Sequence, residues 1–88
     1  MIEIDLAGAD LDAFDRYEAA VLAVLTDLGG TVLARVRDSG ARREWHLLQV
    51  PDRSVWDAFL RDPRRLAQAR MLEPAMVTAS RYEVRPIG

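Results

Sequence analysis

The residue best suited to move a proton near neutral pH is the lone histidine, His46. It lies in the run Arg43-Glu44-Trp45-His46-Leu47-Leu48-Gln49-Val50. Arg35 lies in the preceding apolar segment, and a guanidinium there can stabilise negative charge that develops on a bound molecule. His46 and Arg35 are therefore the candidate catalytic residues. Asp5, Glu44 and Arg81 are the candidate ligand-binding residues. Each has a plainer role available. His46 can hydrogen-bond at an interface between chains, and Arg35 and Arg81 can pair with Glu44 or Glu83 across strands. The aromatic residues Phe14, Tyr17, Trp45, Trp56, Phe59 and Tyr82 can line a pocket, but helical spacing makes most of them core.

Other chemistries are disfavoured. The chain has no cysteine and one histidine, so no typical metal site is expected, even with Asp5 or Glu44 as a second ligand. A haem would need His46 as its axial ligand, with little room in 88 residues. No cofactor is expected, and the sequence carries no phosphate-binding glycine loop or nucleophile elbow. The net charge of −2 argues against a nucleic-acid partner, and the run Arg61, Arg64, Arg65 reads as a solvated helix face. No apolar run approaches the roughly 20 residues that span a bilayer, and the N-terminus does not resemble a signal peptide. A cytoplasmic location is expected.

The pattern of the chain predicts one domain over 1–88. Ile2, Ile4 and Leu6 alternate with Glu3 and Asp5, the period of a half-buried strand. Asp10 or Asp12 can cap a helix whose apolar residues are Phe14, Tyr17, Val21, Val24, Leu25 and Leu28. Gly29-Gly30 closes it, with at least one glycine at positive φ. Strands follow over 31–37 and 43–50, joined as a hairpin. A helix over 52–61 restarts at Asp62-Pro63 and runs to about 72, and a last strand covers 76–85.

This order predicts an α+β fold, a ferredoxin-like βαββαβ unit with an antiparallel four-stranded sheet and two helices on one face. A different α/β sandwich with the same element order stays open. With Ser39-Gly40 as the hairpin loop, Arg35 opposes Glu44 and Ala34 opposes Trp45. Ile2, Ile4, Leu6, Val32, Ala34, Val36, Trp45, Leu47, Tyr82 and Val84 are then expected to face the helices. Glu3, Asp5, Leu33, Arg35, Glu44, His46, Leu48, Arg81 and Glu83 are expected on the other face. A face mixing leucines with charges fits a covered surface that contains a polar pocket.

Leu28-Gly29-Gly30 before a strand, Val50-Pro51 after one, and Ser54-Val55-Trp56-Asp57-Ala58-Phe59-Leu60-Arg61-Asp62-Pro63 followed by Arg70 together resemble the dimeric α+β barrel superfamily. Within it, the chain is most similar to small proteins of the DUF1330 type. The resemblance implies a homodimer with two sheets packed face to face, and a small organic ligand between sheet and helices. Relatives with known activities include cofactor-independent monooxygenases, polyketide cyclases, muconolactone isomerases and chlorite dismutase-like haem proteins. Two functions are therefore expected to compete. One is a homodimer that binds a small metabolite or a partner without catalysis. The other is a cofactor-independent enzyme of monooxygenase, cyclase or isomerase type on a small aromatic or polyketide-like substrate.

Overall fold

The computed structural model describes residues 1–72, 78–85 and 87. Its elements are β1 (Ile2–Asp5), α1 (Leu11–Asp27), β2 (Thr31–Arg37), β3 (Arg43–Gln49), α2 (Arg53–Arg61), α3 (Pro63–Leu72) and β4 (Thr78–Arg81). The four strands form one antiparallel sheet in the order β2-β3-β1-β4. The molecule measures 34 × 34 × 16 Å, thick enough for one sheet and one helix layer. No helix among the described residues is long and apolar enough to cross a membrane.

Local chemistry sets the boundaries. Asp10 caps α1 by accepting from the Ala13 amide (3.1 Å), and Asp52 caps α2 by accepting from the Val55 amide (3.2 Å). Asp62 accepts from the Arg64 amide (2.8 Å), with Pro63 opening α3. Gly29 adopts φ 103° at the end of α1, as expected. Gly30 does a different job. A Cβ there would stand 2.6 Å from Leu25 Cγ and 3.1 Å from the Leu25 carbonyl oxygen, and Leu25 is fully buried. Gly30→Ala should therefore destabilise the fold by about 2 kcal/mol, the cost of forcing a methyl into a packed core. Urea denaturation of the variant measures it, and an unchanged midpoint would refute the close approach.

The hairpin differs from the expectation. Asp38 pairs with Arg43, leaving four loop residues. The Asp38 carboxylate accepts from the Arg42 and Arg43 amides (2.7 and 3.1 Å), and Ala41 turns the chain at φ 52°. This side-chain closure favours the longer loop over Ser39-Gly40 alone. The register moves by two, so Arg35 opposes His46 and Arg37 opposes Glu44. A bulge between Val32 and Ala34 then shifts it by one, so Val32 opposes Leu48.

Pairing with β1 overturns the expected faces of β3. Ile2 opposes His46 and Ile4 opposes Glu44, so Glu44, His46 and Leu48 share the helix-covered face with the isoleucines. Arg35 and Arg37, opposite His46 and Glu44, lie on that face too. Ala34, Val36, Trp45 and Leu47 go to the open face beside Glu3 and Asp5. The physical reason is that the inward charges satisfy one another, as described below, which alternation of apolar and polar residues cannot reveal. On β4, Arg81 opposes Ile2 and belongs to the covered face. β4 ends there, so Tyr82 and Val84 are coil residues, each 48% exposed rather than inward. Residues 76 and 77 of the expected last strand lie outside the described residues.

Two clusters form the interior. Ile4, Leu6 and Phe14 make one, and Val21, Val24, Leu25 and Phe59 make the other. Tyr17 packs against both.

Candidate functional site

Helix α1 runs Phe14, Glu18, Val21, Leu25 along its buried face, at spacings of four, three and four residues. Glu18 occupies an apolar position in this stripe and is 5% exposed. It meets Glu44 and His46 of β3, which are 3% and 1% exposed. The pairing of β1 with β3 turns both inward, and the hairpin register sets Arg35 and Arg37 of β2 opposite them.

Glu44 is the hub. Arg37 Nε donates to its Oε1 (2.8 Å) and Arg35 Nη2 to its Oε2 (3.2 Å). Arg37 also pairs with Asp15 of α1. Burial alone would raise the Glu44 carboxyl, but hydrogen bonds from His46, Arg35 and Arg37 hold it below the usual carboxylate range. Glu44 is therefore an acceptor only. His46 Nε2, in direct contact with Glu44 Oε2, must carry the proton of that bond. This leaves His46 Nδ1 facing Glu18 Oε2 at 3.4 Å.

Glu18 and His46 face each other across 3.4 Å, and burial acts on both. Burial, with the charges of Glu44 and Asp15 adding and Arg35 opposing, pushes the Glu18 carboxyl up to about 7. Burial pulls His46 down from 6.5, against the hydrogen bond and charge of Glu44. Near neutral pH a largely neutral imidazole thus faces a carboxyl close to its titration midpoint. Glu44 and Asp15 balance Arg35 and Arg37, so the whole cluster is close to neutral. Every buried side-chain polar atom among the described residues has a partner.

Donor atoms of Glu18, Glu44 and His46 lie within 4.8 Å of one another, close enough to ask whether they hold a metal. The two carboxylates approach different ring nitrogens, and Glu44 is already committed to two guanidiniums. A cation taking both carboxylates and one imidazole nitrogen would compete with the two guanidiniums for Glu44.

A cavity of about 580 Å3, partly open to solvent, adjoins the pair. Glu18 and His46 line it together with Ile4, Phe14, Trp56 and Phe59, members or neighbours of both clusters. A second cavity of about 440 Å3 adjoins the coil after β4 and shares Ile2, Leu48, Trp56 and Arg81 with the first.

Of the residues singled out from sequence, His46 and Arg81 line the larger cavity. Arg35 stands beside His46, its Nε 3.4 Å from Nε2, but reaches the cavity only through Glu44 and His46. Glu44 sits behind His46 rather than against the cavity. Asp5 lies apart from the others. It is exposed at the end of β1, opposite Arg43, and accepts from the Ala7 amide (2.9 Å). Glu18 was missed, although its place between Phe14 and Val21 in the α1 stripe was a legible signal. Comparison of the chain with protein-family models and with curated proteins returned no match.

Proposed function

We propose that this protein binds a small, largely apolar organic molecule between its sheet and its helices and moves a proton on that molecule without a cofactor. The observation that carries this reading is the cavity of about 580 Å3 adjoining a buried Glu18–His46 pair 3.4 Å apart. Glu44 and Glu18 flank the two ring nitrogens of His46, and the ring still lines the cavity, so a bound molecule can reach it.

Glu18 and His46 are the proton carriers. A carboxyl with a pKa near neutrality both accepts and donates at physiological pH. Glu44 fixes the imidazole tautomer, and Arg35 and Arg37 keep Glu44 ionised. Arg35 is on this reading a positioning residue. Tyr17 also lines the cavity, and burial pushes its phenol up, so it stays a hydrogen-bond donor.

Enolisable ketones and lactones of one or two rings, incubated with the protein in D2O, provide the test. Hydrogen exchange at the carbon next to the carbonyl should be faster than in buffer, and His46→Asn or Glu18→Gln should slow it by about 100-fold or more. A ligand that shifts the His46 NMR signals without exchange would leave a binding protein. Neither exchange nor a shift with any compound would remove both readings.

The sheet order and the helices on one face are compatible with a ferredoxin-like unit, and the resemblance to dimeric α+β barrels of the DUF1330 type supplies the partner: a second copy laid over the open sheet face. Val36 (56% exposed), Leu33 (53%) and Leu47 (36%) make that face apolar beyond what isolated surface residues require. Leu47→Arg should shift the protein from dimer to monomer at tens of micromolar, by placing an unpaired charge in a covered site. Light scattering reads the mass, and a monomeric parent protein would rule the dimer out. Leu48 is unsuitable for this test, because it lines the cavities on the other face.

A further inference from the structure

We infer that the cavity selects anions, taking an organic acid whose carboxylate is bound by Arg70 and Arg81 while its apolar body lies against Trp56 and Phe59. This rests on the proposed ligand site and adds the class of molecule that fills it. The protein as a whole is acidic, with a net charge of −2. Among the described residues, the charged ones lining the larger cavity are biased the other way: one carboxyl, Glu18, against Arg65, Arg70 and Arg81. Glu18 spends much of its time neutral, so this described lining is cationic in a protein that is not.

The three arginines are not equivalent. Arg65 donates to the Leu60 carbonyl (2.9 Å) and lies over the Phe59 ring, 5.5 Å from its centroid. It is a wall of the site. Arg70 comes from the last turn of α3 and Arg81 from the end of β4, so the cavity is flanked by cations from two separate elements. Among the described residues neither has an acidic partner. Both are exposed at the rim, where a guanidinium can meet a carboxylate without being stripped of water beforehand. Arg81 also lines the second cavity, so an acid group held there sits where the two spaces meet. Most of the remaining lining is aliphatic or aromatic, which suits a ring or short hydrocarbon body and not a sugar or a nucleotide.

The test compares a naphthoate with the corresponding naphthamide, which has the same rings and nearly the same shape but no charge. Calorimetric titration should show the acid binding about tenfold tighter or more, the worth of a charge-assisted hydrogen bond at a partly exposed site. The double variant Arg70→Gln, Arg81→Gln should lose that preference and keep its affinity for the amide, which also reports that the cavity is intact. Equal binding of acid and amide by the parent protein would overturn anion selection and leave the ligand site standing. A preference that survives in the double variant would overturn the assignment to these two arginines. If neither compound binds, the ligand site and its selectivity both fall.

Discussion

Glu18→Gln will make the protein more stable at pH 8 than its parent and will leave stability near pH 4.5 almost unchanged. In the unfolded chain this carboxyl ionises near 4.5, and in the folded protein near 7. Between those values the folded state holds a proton that the unfolded state has released. Raising the pH through that window therefore lowers stability, and the full penalty applies above 7. Its size is on the order of 3 kcal/mol, a large part of the 5–15 kcal/mol typical of a domain. Glutamine cannot ionise, and its amide can donate to His46 Nδ1 across the same 3.4 Å. His46 acts in the opposite sense. Its folded-state pKa lies below 6.5, so its contribution is lost as pH falls through the region below 6.5. The variant should therefore keep the acid-side loss and lack the alkaline one. Urea denaturation from pH 4.5 to 8 tests this. Parallel profiles for parent and variant would show that Glu18 does not carry a raised pKa.

Glu44→Ala should cost on the order of 3–5 kcal/mol, the range for removing one member of a buried charged network. Three groups converge on this carboxylate, from Arg35, Arg37 and His46. The arginine side chains are 38% and 29% exposed and can turn toward water. His46 cannot, being 1% exposed, so its Nε2–H is left facing a hole. The tautomer that directs the Nδ1 lone pair at Glu18 loses its support at the same time. Two measurements follow: denaturation at pH 7, and the nitrogen chemical shifts of the imidazole, which distinguish one tautomer from the other. Adding His46→Leu to Glu44→Ala should recover part of the loss, since an apolar pair in a packed interior is tolerated better than half of a polar one. If the double variant is no more stable than Glu44→Ala alone, the cost came from the cavity and not from the orphaned imidazole.

The elements were legible in the sequence because local rules write them. Asp10, Asp52 and Asp62-Pro63 mark helix starts through a side chain that takes up a free amide or a ring that lacks one. Gly29 marks a helix end through the one backbone geometry that favours glycine. The alternation of Ile2, Ile4 and Leu6 and the stripe from Phe14 to Leu25 record which residues leave water. From these came the antiparallel α+β arrangement, and His46 as the residue to examine.

Tertiary structure alone decided the side of the sheet on which His46 lies. Alternation separates the residues of a strand into two sets but cannot say which set turns inward when one contains charges. β3 offered Trp45 and Leu47 on one side and Glu44, His46 and Leu48 on the other, and the apolar count favoured the wrong one. The charged set went inside because Glu18, Arg35 and Arg37 arrive from two other elements to pair with it. A buried charge is costly alone and acceptable in company. That company exists only once α1 lies on the sheet and β1 has paired with β3 to turn the β2–β3 arginine and glutamate face inward, and neither event is written in any single stretch of chain.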